Sequence, residues 1–144
     1  MATNASGTQP PSWFRIAAVI AVLWNAFGVL QYLISVGLFG DPHATLDPAQ
    51  RAAAEAIPAH VIGAFAIGTF TGLIGSIGLL LRKKWGPPVL VVSLLGLAAL
   101  EGWIVFVSGL LEMFGGIALP LTITIVAALL VWLAYYARAR GWLR

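Results

Sequence analysis

The nineteen residues VLVVSLLGLAALEGWIVFV, Val89 to Val107, decide the fold. About 20 mostly apolar residues cross roughly 30 Å of hydrocarbon as a helix, and this run has that length. It also holds a single ionisable residue, Glu101, in its middle. Upstream lie Pro87-Pro88 and the basic triplet Arg82-Lys83-Lys84. Proline suits a first helical turn, where its missing amide proton would have no partner anyway. The run is therefore read as a membrane span, from about Pro88 to Ser108, with a carboxyl inside it.

Working outward, three more stretches qualify: about Trp13 to Val36, Ala59 to Leu81 and Ile117 to Ala137. Prolines or glycines bound them at Pro10-Pro11, Gly40-Asp41-Pro42, Pro58 and Gly115-Gly116. Strand alternation is missing from all four, and lipid cannot satisfy open backbone groups, so helices are required. The 144 residues are 60% hydrophobic and 9% charged, with a mean hydropathy of +0.96. A soluble domain carries about 25% charged residues. The expected fold is all-α, an integral membrane four-helix bundle. Residues 13–144 form its single four-span domain, and 1–12 form a small, polar, disordered cytoplasmic tail.

Charge sets direction. With four spans, the termini and the second loop share one side, and that side holds Arg15, Arg82, Lys83, Lys84, Arg138, Arg140 and Arg144, seven of the eight basic residues. Cytoplasmic flanks collect Lys and Arg, so both termini are expected to be cytoplasmic, in a bacterial inner membrane. Arg82, Lys83 and Lys84 serve as a topology determinant, with anionic headgroups as a further contact. Trp13, Trp85 and Trp142 fit a cytoplasmic aromatic belt, and Tyr32 an outer one. In the first outer loop, Asp47-Pro48-Ala49-Gln50 has the form of a capping box opening a short extracytoplasmic helix.

Span two carries Ala64, Gly68, Gly72 and Ser76 at four-residue spacing, a stripe that lets another backbone approach closely. Its partner is another span of the chain, where Ala98 and Gly102 offer small residues, or another copy. Polar residues gather in the outer half. Asn25 lies roughly 18 Å and Glu101 roughly 20 Å from the cytoplasmic edge, Gln31 is roughly 9 Å beyond Asn25, and His60 opens span two at the outer boundary. A charge near a helix centre costs on the order of 2.5–3.5 kcal/mol on insertion scales. Glu101, Asn25, Gln31 and His60 are thus the candidate polar site: a proton-linked or cation-binding group, or a buried interhelical hydrogen bond, or a carboxyl snorkelling outward. Asn25 is the expected partner of Glu101 at its depth, with His60 as a partner nearer the surface.

Other chemistries drop out. The basic residues form no stripe with aromatic partners, which argues against nucleic acid. No cysteine, phosphate loop, His-x-x-x-His pair or nucleophile elbow occurs, so no metal, cofactor or enzymatic activity is expected. His43 and His60 do not suit haem within a bundle.

Leu23-Trp24-Asn25 with Gly28 and Tyr32, Ile57-Pro58-Ala59 with Gly63-Ala64-Phe65-Ala66, Gly72 and Gly75 form one set of shared features. Leu79-Leu80-Leu81-Arg82-Lys83, Ser93-Leu94-Leu95, Tyr135-Tyr136-Ala137 and Ala139-Arg140-Gly141-Trp142-Leu143 complete it. Through them the chain resembles small bacterial four-span proteins loosely labelled "sugar transporter" or left uncharacterised. In that group a tryptophan often follows the Pro-Ala pair, where this chain has His60. The resemblance implies no substrate or catalytic residue. The leading functional expectation is a non-enzymatic accessory or interaction component, partnered by lipid and by a second copy or another membrane protein. A small-solute or proton-coupled transporter is the alternative. One small bundle is expected to leave little room for a transport cavity, so that alternative calls for an oligomer.

Overall fold

The computed structural model describes residues 8–144, and no strand occurs among them. The helices are α1 (Ser12–Ser35), α2 (Pro48–Glu55), α3 (Ala59–Leu80), α4 (Gly86–Trp103) and α5 (Ala118–Ala139). α4 runs on through a wider π-turn, Ile104–Ser108, and a single 3-10 turn, Leu111–Phe114, precedes α5. α1, α3, α4 with its extension, and α5 are each long and apolar enough to cross a membrane. At 1.5 Å per residue, 22 to 24 residues reach about 33–36 Å.

Large apolar side chains cover their outward faces, among them Ile20, Leu23, Phe27, Leu95, Leu129 and Trp132. Apolar surface of that extent suits an apolar surrounding, because no described residue covers it. Between helices in such a medium the hydrophobic effect supplies little drive, and close packing and polar contacts must hold them.

The spans pack in the order α1, α3, α4, α5, and the α3–α4 pair is the most extensive. α1 and α5 share no extensive contact, so away from the terminal end, where Phe14 joins Leu133, Ala134 and Ala137 in one cluster, the arrangement is an arc rather than a closed ring. The α3 stripe explains the α3–α4 approach. A Cβ on Gly96 would sit 2.8 Å from the Gly68 nitrogen and 3.0 Å from the Ala64 carbonyl oxygen. Those are backbone atoms, which cannot yield. Ser93 Oγ donates to the Gly68 carbonyl at 2.6 Å, tying the two helices where they are closest. The stripe is thus occupied within the chain. The α4 residues that meet it are Leu90, Ser93, Gly96 and Leu97. Ala98 is exposed, and a Cβ on Gly102 would touch nothing.

The end carrying both termini is tightly closed. α5 stops at Gly141, whose φ of +71° few side chains tolerate, and the chain turns back. Trp142 then packs against Phe14 and Tyr136, with ring centroids 5.2 and 5.6 Å away, and is 9% exposed. Trp142 is therefore a plug in the bundle end, not a belt residue. Trp13, Trp85 and Tyr135 do remain exposed.

Arg82 makes contacts that the sequence did not indicate. Its backbone takes the left-handed position after α3 (φ +61°), normally a glycine site. Its Nε donates to the Trp142 carbonyl at 2.7 Å, and its Nη2 to the Thr8 carbonyl at 3.2 Å. The Arg144 amide donates to the Arg82 carbonyl at 2.6 Å. Arg82 clasps the two chain ends, while Lys83 and Lys84 stay exposed. Within the tail expected to be disordered, residues 1–7 lie outside the described residues. Thr8 donates to the Arg140 carbonyl, Pro10 is buried, and Ser12 already begins α1.

Candidate functional site

At the opposite end the helices diverge around a chamber of about 550 Å³. Its wall comes from the second half of α1, the first half of α3, the last turns of α4 with its π-extension, and the start of α5. Pro42, His43 and Leu46 of the first loop, with Ala54 of α2, complete it. The expectation that one bundle leaves little room is corrected here. The arc leaves α1 and α5 apart, and the first loop roofs the space between them.

α2 itself is built as its sequence requires. The Gln50 amide donates to Asp47 Oδ1 at 2.8 Å, and the Asp47 amide donates to Gln50 Oε1 at 3.3 Å. Arg51 reaches Asp41 at 3.1 Å and Glu55 at 2.8 Å. The His43 amide donates to Asp41, which with Arg51 nearby holds the Asp41 carboxyl below its ordinary 3.8. These bonds fix the roof over the chamber.

Asn25, Gln31 and Glu101 all line the chamber. His60, the fourth candidate, is exposed and does not line it. Its place at the first turn of α3 turns it away.

Asn25 is not the partner of Glu101. Asn25 Nδ2 donates to Ser76 Oγ at 3.0 Å and to the Ala21 carbonyl at 2.9 Å, linking α1 to α3. Its Oδ1 lies against Gly72, where a Cβ would collide with it. Ser76, read from sequence as a small spacer, is thus the hydrogen-bonding partner. Gly72 provides the space Asn25 needs.

Glu101 sits on the last full turn of α4, three residues before the π-turn begins. Such widenings of helical pitch occur often at functional sites. The residue is 6% exposed, and no side-chain hydrogen bond or ion pair to its carboxyl occurs among the described residues. No fully enclosed side-chain polar atom lacks a partner either. The carboxyl therefore keeps its open side, and that side is the chamber it lines. A buried interhelical hydrogen bond does not account for Glu101.

The remaining lining is mostly apolar and includes Trp24, Phe27, Phe65 and Trp103. Thr69 also lines it, but its hydroxyl donates back to the Phe65 and Ala66 carbonyls. Tyr32, expected in an outer belt, packs instead edge-on to Phe65 and Phe70 at 5.5 and 5.7 Å, bracing the wall. His43 and Trp103 escaped sequence reasoning. Trp103, two residues after an isolated carboxyl, carried a signal; His43, in a loop without periodicity, carried none.

No group of three or more His, Asp or Glu that could hold a metal occurs among the described residues. Comparison with known proteins found no matching family, no matching curated protein and no matching solved structure.

Proposed function

We propose that the chain is a multi-pass protein of a bacterial inner membrane, both termini cytoplasmic, that binds a small solute in the chamber and moves it across or within the bilayer. The observation that carries this reading is a chamber of about 550 Å³ holding a buried carboxyl without a protein partner. Small-molecule sites typically measure roughly 300–1,000 Å³, with apolar walls and a few polar groups. An ionisable residue inside a span is a functional candidate by default, because keeping it there is costly.

The chamber lies within a single chain, so an oligomer is not needed to build it. The orientation is supported by seven of eight basic residues on the side of the termini, which puts the chamber and α2 toward the outside. The reading is non-enzymatic.

The test is flux. Protein reconstituted in liposomes should move members of a panel of small amphiphilic solutes, and Glu101→Gln should abolish that movement without changing the folded fraction. No movement and no saturable binding across the panel would overturn the proposal. A cysteine placed in the loop between α1 and α3 should be labelled from outside intact cells. Labelling only after permeabilisation would reverse the topology.

A second reading, an interaction component, is favoured by the unpacked side between α1 and α5, which a partner helix or a second copy could cover. It requires a stoichiometric membrane partner in a mild-detergent pulldown. Recovery of the monomer alone would sink it.

A further inference from the structure

We infer that the chamber binds an organic cation with an apolar body, its charge seated against Glu101. This rests on the chamber being a ligand site and names the ligand's chemistry.

Deep in the chamber one ionisable side chain is uncommitted. Asn25 Nδ2 is spent on Ser76 and Ala21, while its Oδ1, against Gly72, is left as a neutral acceptor. The Thr69 hydroxyl is spent on its own helix. That leaves the Glu101 carboxyl, 6% exposed and without a partner. Toward the rim lie Gln31, Ser35 and His43, and among the described residues His43 is the only other ionisable one of the lining. No Lys or Arg lines the chamber among the described residues.

Each class of ligand can be held against that inventory. An anion would meet a carboxyl and no cationic counterpart. A polyhydroxylated solute would bury hydroxyls with few groups to pair them, at about 1–3 kcal/mol for each one left unsatisfied. A hard metal ion wants six or more oxygen ligands, or a retained water shell, and here one carboxyl stands in an apolar wall. A quaternary or protonated amine matches the set. A lone carboxylate offsets its charge, and Trp24 and Trp103 belong to the same lining, aromatic rings being groups that attract cations within about 6 Å. The apolar remainder of the wall accepts the rest of the molecule. The group that opposes the assignment is His43, an imidazole at the rim.

The experiment compares two probes of equal shape on the full chain in nanodiscs. Benzyltrimethylammonium carries a permanent charge, and neopentylbenzene is its neutral carbon isostere. After subtraction of binding to empty nanodiscs, the ammonium should bind at least tenfold more tightly than the isostere. Glu101→Gln should erase that preference. The wild-type comparison stands even if the variant fails to fold. Equal affinity for the two probes overturns the cation assignment but keeps the chamber as a ligand site. Binding of neither probe, with none from the wider panel, overturns both. A preference that persists in correctly folded Glu101→Gln overturns the role of Glu101.

Discussion

The two ends of this bundle are built on opposite plans. At the end carrying the termini, small residues and aromatic rings leave no space. Gly75 and Gly78 admit Leu90 and Trp85, Phe14 and Trp142 interlock, and Arg82 binds the N- and C-terminal segments together. At the other end α1 and α5 stand apart, and the lining chains surround space instead of filling it. Glycine stripes and buried aromatics invest contact area in holding helices together. Away from them, the same four helices can hold a cavity because their near ends are already fixed. The difference separates a clamp from a site, and substitutions should sort accordingly: stability lost at the first, binding lost at the second.

The largest expected effect is Trp142→Ala. Truncating a buried tryptophan removes its contacts and leaves a cavity, at about 3–5 kcal/mol for Phe or Trp in a core. Chemical unfolding in detergent should show that loss, and Trp103→Ala at the chamber should cost clearly less. Equal losses would break the distinction between the ends. Next comes Gly96→Val. With backbone 2.8 Å from the new Cβ, α3 and α4 must separate, at about 1–3 kcal/mol. Gly102→Ala, whose Cβ meets nothing, should be neutral or slightly stabilising.

Asn25→Ala sharpens the boundary between the two regions. It removes the bond to Ser76, an interhelical polar contact of about 0.6 kcal/mol on average and at most about 1.7. By contrast, Glu101→Gln should leave the unfolding midpoint unchanged or slightly raised, because no protein hydrogen bond is lost. A fall of about 1 kcal/mol, the size of one net hydrogen bond, would restore a structural role for that carboxyl.

The smallest effect concerns the roof. The Asp41 carboxyl is held below 3.8 by the His43 amide and by Arg51. A depressed acid contributes stability above its unfolded pKa and loses it as pH falls through the folded value. Amide protection in the loop and α2, corrected for the intrinsic pH dependence of exchange, should therefore be steady from neutral pH down to about 4 and fall only below that. Asp41→Asn should remove that acid-side loss. Because the pair is exposed, the change belongs to the loop and not to global unfolding.

Much of this was legible residue by residue. Pro48 behind Asp47 and ahead of Gln50 spelled a capped helix, because capping depends on neighbours three positions apart. The stripe from Ala64 to Ser76 announced a close approach, because helical spacing puts those residues on one face. Its partner was another matter. Choosing Gly96 over Ala98 or Gly102 depends on the rotation of α4 about its axis, which local sequence does not fix. Asn25 and Glu101 stand out in the sequence as polar residues at similar helical offsets, and both line the chamber. Depth alone could not say that Asn25 would turn to Ser76 and leave Glu101 facing the chamber.

The sequence by itself determined four long apolar helices, their punctuation, the one-sided distribution of positive charge and the isolation of Glu101. These follow from composition and from helical spacing within each segment. Only the tertiary structure decided that Arg82 clasps the chain ends, that Trp142 closes one end of the bundle, and that the other end holds a chamber. Those outcomes depend on how four rods rotate and tilt against one another. That is settled by atomic contacts between segments, such as Gly96 on Gly68, which no single span encodes.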